Sequence, residues 1–341
     1  MKRELFTAGI VFLSLLAPVK ASAANFSQIF VFGDSFVDTG NVFQATRNTT
    51  GIGFPSSPPY FEGRFANGPV WVDYLSSSLG LNQTNFAFGG ATTGRGNTIE
   101  KNFNLEFPGL QEQIENFTAA NPAADSNALY IVSAGGSDYL SAGVTNPTEP
   151  VNNLINGIKS LAAVGARNIL VSNVLDLGKL PATNKNPEIS SQLNGLTQIH
   201  NSLLRTRLTD LSQQLGIKIT PLDTSSILNR RFNNPSEFGL TNVTDACLNL
   251  NAGTICSNPN EFAFWDNTHP TTRVHRILAE VALSAVQTQS VPRPTAAIPP
   301  RSVPEPSTML ALLALGAVSV VGTLQHQHKK LVPSPIFCRM R

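Results

Sequence analysis

Apolar positions along this chain fall into two kinds of run. Short, nearly continuous apolar stretches bounded by Gly, Asn or Ser recur at Ile29 to Phe32, Thr84 to Phe88, Ala128 to Ser133, Asn168 to Val171 and Ile217 to Leu222. Each has the length and the β-branched or aromatic content of a buried strand. Between them apolar residues return every three or four positions, at Val70 to Leu79, Leu110 to Phe117, Val151 to Val164, Ser190 to Leu215 and Val274 to Val286. That spacing predicts helices with one face on a core. It is clearest in the fourth, where Leu193, Leu196, Ile199, Leu203, Leu204, Leu208, Leu211 and Leu215 recur and read as core packing. His200 on that helix is expected to be a satisfied surface histidine, and His275 in the last helix has no catalytic role assigned. Strand and helix alternate in order, so the predicted fold class is α/β: a three-layer α/β/α sandwich on a five-stranded, mostly parallel sheet.

The remaining stretches are punctuation or targeting. Arg47 to Gly68, rich in Gly, Pro and aromatics, reads as a long loop of the kind that lines a site. Lys2 and Arg3, an apolar run from Leu5 to Ala17 and the small residues Ala21 to Ala24 have the layout of a secretory signal peptide. A signal anchor is the alternative, but the run is short of the roughly 20 residues that span a bilayer. Residues 1–24 are therefore expected to be removed by signal peptidase and 25–289 to form the folded domain. A stiff Pro-rich linker covers 290–302. Val303-Pro304-Glu305-Pro306-Ser307, the apolar run Met309 to Leu324 and the basic patch His326 to Lys330 follow. Residues 303–330 resemble a PEP-CTERM sorting signal, which implies an exosortase-type partner and membrane contact through this segment before processing. A short tail anchor has the same hydropathy. Residues 331–341 continue past the point where such signals end, and no role is assigned to them.

Composition narrows the options. Only 13% of the residues are charged and the formal net charge is +2, so no basic field points to nucleic acid. Three cysteines suit an exported chain. Cys247 and Cys256 share one polar loop and are expected to pair in an oxidising compartment, two free thiols being the alternative, while Cys338 is left over. None has metal-ligand spacing, and neither metal nor organic cofactor is expected.

The chemistry gathers at strand ends. The first apolar run stops at Gly33 and hands the chain to Asp34-Ser35 in a turn, where a nucleophile would sit. Far downstream, Asp266 precedes His269 by three residues, with Pro270 set to start a helix. A serine hydroxyl needs an imidazole to take its proton and a third group to fix the imidazole's tautomer, and Asp266 and His269 can supply both from one loop. Gly89-Gly90-Ala91-Thr92-Thr93-Gly94-Arg95-Gly96 invites a phosphate-loop reading, yet no Lys-Ser/Thr pair opens a helix behind it. Close backbone approach fits better, with the Gly90 amide facing a developing oxyanion.

These blocks together resemble the GDSL esterases and lipases, the SGNH hydrolases. The marks are Phe32-Gly33-Asp34-Ser35 with Asp38-Thr39-Gly40-Asn41, Asn85 to Thr92, Gly135-Gly136-Ser137-Asp138, and Asp266 with His269, in the expected order over most of the chain. The resemblance implies a flavodoxin-like sheet, a Ser35–His269–Asp266 triad, and an oxyanion hole built from Ser35, Gly90 and the residue at 137. In the family that last position carries Asn, whereas this chain has Ser137, a shorter donor. Asp34, Asn85 and Asn173 are expected around the site, Asn173 with loop capping as an equal alternative. The implied activity is ester hydrolysis on a small-molecule, lipid or carbohydrate ester at the bacterial envelope or outside it. Acyl transfer by the same acyl-enzyme, or a surface binding protein with a weakened site, are the rival readings.

Overall fold

A computed structural model describes residues 26–288. The expected signal peptide, linker, sorting signal and tail, and with them Cys338, lie outside the described residues.

The chain begins with β1 (Ile29–Gly33), α1 (Asn41–Thr50), α2 (Trp71–Leu79), β2 (Gln83–Asn85), α3 (Leu110–Ala120), β3 (Leu129–Ser133) and α4 (Gly136–Leu140). It continues through α5 (Thr148–Ala163), β4 (Asn168–Ser172), α6 (Pro187–Leu215), β5 (Lys218–Leu222) and α7 (Thr224–Asn233). Small loop strands β6 (Asn242–Ala246), β7 (Leu248–Asn249), β8 (Thr254–Ile255) and β9 (Phe262–Phe264) lead to α8 (Thr272–Thr288). The central sheet has the order β2-β1-β3-β4-β5, and every pairing in it is parallel.

The inner strands β1 and β3 are buried on both faces, which explains why their sequences read as continuous apolar runs. Ile29, Val31, Leu129 and Ile131 face one core with Trp71 and Leu75 of α2 and Leu278 and Ala282 of α8. Phe30, Phe32, Tyr130 and Val132 face the other, with Ile114 and Phe117 of α3, Leu154 of α5 and Leu208 of α6. The period-2 alternation of a strand thus feeds two helical layers, and the expected three-layer sandwich is what forms.

Four readings of the sequence need correction. β2 ends at Asn85 rather than Phe88, because the Asn85 side chain accepts from the Ala87 amide (2.9 Å) and donates to the Val37 carbonyl (2.7 Å), turning the chain. Contact with β1 persists through single bonds from the Phe86 amide to the Val31 carbonyl and the Phe88 amide to the Gly33 carbonyl. The loop expected from Arg47 begins later, since α1 runs to Thr50. On α6, Ile199 and Leu215 are 57% and 40% exposed and His200 is fully buried, its Nδ1 2.7 Å from the Tyr139 hydroxyl. Ile199 stands one residue, about 100°, off the line of Thr197, His200 and Leu204, so a tally of apolar residues overstated the width of the packed face. Helices α4 and α7 are too short or too polar to stand out in the apolar pattern.

Candidate active site

Gly33 closes β1 where a methyl group would overlap the Ser133 carbonyl oxygen, so only glycine lets β1 and β3 approach this closely before the turn. The turn carries Asp34 and Ser35 above the carboxyl ends of the strands. The Asp34 carboxylate accepts from the Phe36 amide at 3.0 Å, and its carbonyl accepts from the amides of Val37 and Asp38. Burial lifts the Asp34 carboxyl to about 6, with the Asp138 charge adding to the rise and the Phe36 amide and His269 opposing it.

His269 reaches this turn from the other end of the chain. Its Nε2 lies 2.9 Å from Ser35 Oγ, and its Nδ1 lies 2.8 Å from Asp266 Oδ2 and 3.0 Å from Oδ1. With Nδ1–H donating a hydrogen bond to the carboxylate, Nε2 is left to accept from the serine. The Asp266–His269 loop is a closed turn. Asp266 Oδ1 accepts from the amides of Thr268 (2.8 Å) and His269 (2.7 Å), and the Trp265 amide donates to the His269 carbonyl at 2.8 Å. Burial alone would raise the Asp266 carboxyl, but the His269 charge and these bonds outweigh it and pull it down to about 2. For His269 the order is the same: burial lowers the imidazole, and Asp266, helped by Asp34, carries it above its ordinary value.

The loop after β2 supplies the third side. Gly90 adopts φ +78° and lines the same cavity as Ser35. Neither the Ser35 amide nor the Gly90 amide donates to another group among the described residues. Asp38, fully buried, ties the two loops together: Oδ1 accepts from the amides of Gly40 and Asn41 (2.7 Å each), while Oδ2 accepts from Val42 (3.3 Å) and Gly89 (2.9 Å). Asp138 does the same for the next block, accepting from the Thr93 amide (2.9 Å) and hydroxyl (2.7 Å). Burial also lifts Asp38 and Asp138 to about 6 against these bonds.

Ser35, Gly90, Ser137, Asp266 and His269 all border one cavity of about 310 Å3. Its remaining wall is largely apolar, with Phe36, Phe54, Phe65, Ile99, Leu140 and Val174 prominent. Asn85 holds the turn between the first two blocks, and Asn41 Nδ2 donates to the carbonyls of Asn85 (3.0 Å) and Ala87 (2.8 Å). Asn173 borders the cavity, but its polar atoms go to the start of α7: Nδ2 donates to Asp223 Oδ1 and Oδ1 accepts from Thr224 Oγ1, each at 2.7 Å. That is the loop-capping alternative. His275 accepts from the Trp71 amide at 3.2 Å and is held neutral by burial. Cys247 and Cys256 are joined as a disulfide across β7 and β8.

Two groups were not singled out by sequence reasoning. Tyr60, in the long loop, donates from its hydroxyl to Asp266 Oδ2 at 2.7 Å, and burial together with the Asp266 charge keeps the phenol protonated. No motif marks it. Asp38 stood inside a quoted block without a role, although an acid two to four residues before a helix is a common turn signal. Among the described residues, no group of three or more His, Cys, Asp or Glu is arranged to hold a metal ion.

Fold and site together define an α/β protein with a serine, an imidazole and a carboxylate in one hydrogen-bonded line at the carboxyl edge of its sheet. Within that class the chain belongs to the GDSL-like lipase/acylhydrolase family, whose model matches residues 29–282. It is similar to a phosphatidylcholine-sterol acyltransferase of Aeromonas hydrophila, 28% identical over 82% of this chain and 96% of that one. A thermolabile hemolysin of Vibrio parahaemolyticus is 27% identical over 76% of this chain, which spans 63% of that longer protein. A GDSL esterase/lipase of Arabidopsis thaliana is 30% identical over 74% of this chain and 87% of its own length. Residues 302–323 match the PEP-CTERM protein-sorting motif, which marks the chain for export to the cell envelope or surface and implies processing by an exosortase. Among the described residues no helix is long and apolar enough to cross a membrane.

Proposed function

We propose that the protein is an exported serine esterase or lipase that cleaves carboxylic ester bonds through an acyl-enzyme. Ser35 Oγ attacks the ester carbonyl carbon as His269 Nε2 takes its proton. The tetrahedral oxyanion is held by the amides of Ser35 and Gly90, with the Ser137 hydroxyl as a third donor within the same cavity. His269 returns the proton to the departing alcohol, leaving Ser35 acylated. Water, deprotonated by His269, then attacks the acyl carbon and releases the acid and the free serine. Asp266 keeps the Nδ1 proton in place and stabilises the imidazolium at each step. The apolar wall beside Ser35 receives the acyl chain. Signal peptidase removes residues 1–24 on the way out.

The observation that carries this reading is the unbroken line from Asp266 Oδ2 through Nδ1 and Nε2 to Ser35 Oγ, at 2.8 and 2.9 Å. A second reading, acyl transfer, draws support from the acyltransferase among the relatives. There a hydroxyl acceptor replaces water in the second step, with the same proton movements. A panel of p-nitrophenyl esters, run with and without an added sugar or sterol alcohol, tests both. The expected result is ester cleavage by wild type that Ser35→Ala abolishes, and transferred ester in the products reports acyl transfer. Equal rates for wild type and Ser35→Ala would remove the enzyme and leave a binding protein.

A further inference from the structure

The long loop between α1 and α2 touches the site twice. Phe54, Pro55 and Phe65 line the cavity wall, and Phe65 packs on the His269 ring with centroids 5.1 Å apart. From the same loop, Tyr60 is buried beside Asp266 and borders the same cavity, edge-on to Phe65 and Trp265. Its hydroxyl donates to Asp266 Oδ2, the oxygen that also lies nearest His269 Nδ1. Tyr60 packs with Trp265, Cys247 and Leu248, so the disulfide-closed hairpin backs the ring.

We propose that Tyr60 is a positioning residue of this site, whose hydroxyl fixes the Asp266 carboxylate against His269 and so couples the cavity-forming loop to the Ser35–His269–Asp266 line. This rests on the catalytic reading above. The Thr268 and His269 amides hold Oδ1, and the Tyr60 hydroxyl adds a third tether at Oδ2, which keeps that oxygen facing Nδ1. The phenol also draws charge density from Oδ2, which moderates how strongly the carboxylate favours the imidazolium. Without it the imidazolium would be over-stabilised and His269 would be a slower proton donor to the leaving alcohol. The other titratable groups facing His269 are Asp34, which favours the cation, and His275, neutral on α8.

The test reads the imidazole directly. In the full chain, the His269 ring nitrogens are followed by NMR across pH in wild type and Tyr60→Phe, which keeps the ring and removes the hydroxyl. The expected result is a rise in the His269 pKa, with kcat reduced several-fold and KM unchanged. Phe54→Ala, in the same loop, should change KM for long-chain esters and leave the imidazole titration where it was. Should Tyr60→Phe not fold, replacing the 4 tyrosines with 3-fluorotyrosine makes a stronger donor and should move His269 the opposite way. Unchanged His269 titration and kcat in Tyr60→Phe, or in the fluorinated protein, would overturn the proposal and reduce Tyr60 to packing. The titration needs no turnover, so a protein that cleaves no ester at all would still report on Tyr60 and fail separately.

Discussion

The two halves of the site are built by different physical means. The serine half rests on the central sheet: β1 delivers Ser35, the buried Asp38 ties the Gly90 loop to the Ser35 turn through the Gly89 amide, and the buried Asp138 ties the Ser137 block to the Gly90 loop through the Thr93 amide and hydroxyl. The imidazole half has no central strand beneath it. Asp266 and His269 sit on a turn held by its own amides, by Tyr60, and by a hairpin closed with a disulfide, where the Leu248 amide donates to the Trp265 carbonyl at 2.7 Å. One half is therefore rigid because the fold is rigid, and the other because local cross-links make it so. Breaking the first should loosen the sheet and the site together, and breaking the second should cost alignment before it costs the sheet.

The largest effect on this contrast is expected from Asp38→Ala. It leaves four amides without this acceptor, three of them buried and that of Asn41 partly so, and loss of about 3 kcal/mol or more follows from a penalty of roughly 1 to 3 kcal/mol per unsatisfied buried group. Urea unfolding measures it, and a loss below 1 kcal/mol would show that water replaces the carboxylate. Next comes Cys247→Ser with Cys256→Ser. Opening a ring closed across a sequence separation of 9 should cost about 2 to 3 kcal/mol on the chain-entropy account. Turnover should fall at temperatures where far-ultraviolet circular dichroism still reports an intact sheet, and parallel loss of both signals would erase the distinction between the halves.

Ester cleavage should also follow the imidazole half in its pH dependence. The base must be neutral, and Asp266 raises the His269 pKa above its ordinary value of 6.5. Activity should therefore be lost as pH falls through a value above 6.5, and a kcat/KM limb below 6 would mean that the carboxylate is not felt by the ring. Ser137→Asn, which places the longer donor implied by the resemblance at this position, should raise kcat or leave it unchanged without altering stability. A large fall would give Ser137 a role of its own. The smallest effect is expected from Ile199→Lys on the exposed side of α6, within about 0.5 kcal/mol of wild type by thermal or urea unfolding.

A different line divides what the sequence discloses from what it hides. β1, β3, β4 and β5 were legible to within a residue or two because buried parallel strands leave continuous apolar runs, and Ser35, Gly90, Asp266 and His269 were legible because glycine and acid placements at strand ends repeat as motifs. The burial of His200 was not, since it depends on Tyr139, and for Asn173 capping stood only as one of two alternatives because its partners lie at the start of α7. Tyr60 was hidden for the same reason: its hydrogen bond spans 206 positions and its loop carries no period. Motifs and short spacings leave local signatures, as for Asp266 with His269 and for Cys247 with Cys256, and single contacts between side chains far apart in sequence leave none.

The central claim is that Ser35 is a nucleophile activated by His269. A fluorophosphonate probe followed by peptide mass spectrometry tests it most directly. The account predicts one covalent adduct per chain, on Ser35, absent from Ser35→Ala and formed far more slowly by His269→Ala. Labelling at another residue, or labelling of Ser35 at the same rate without His269, would contradict it.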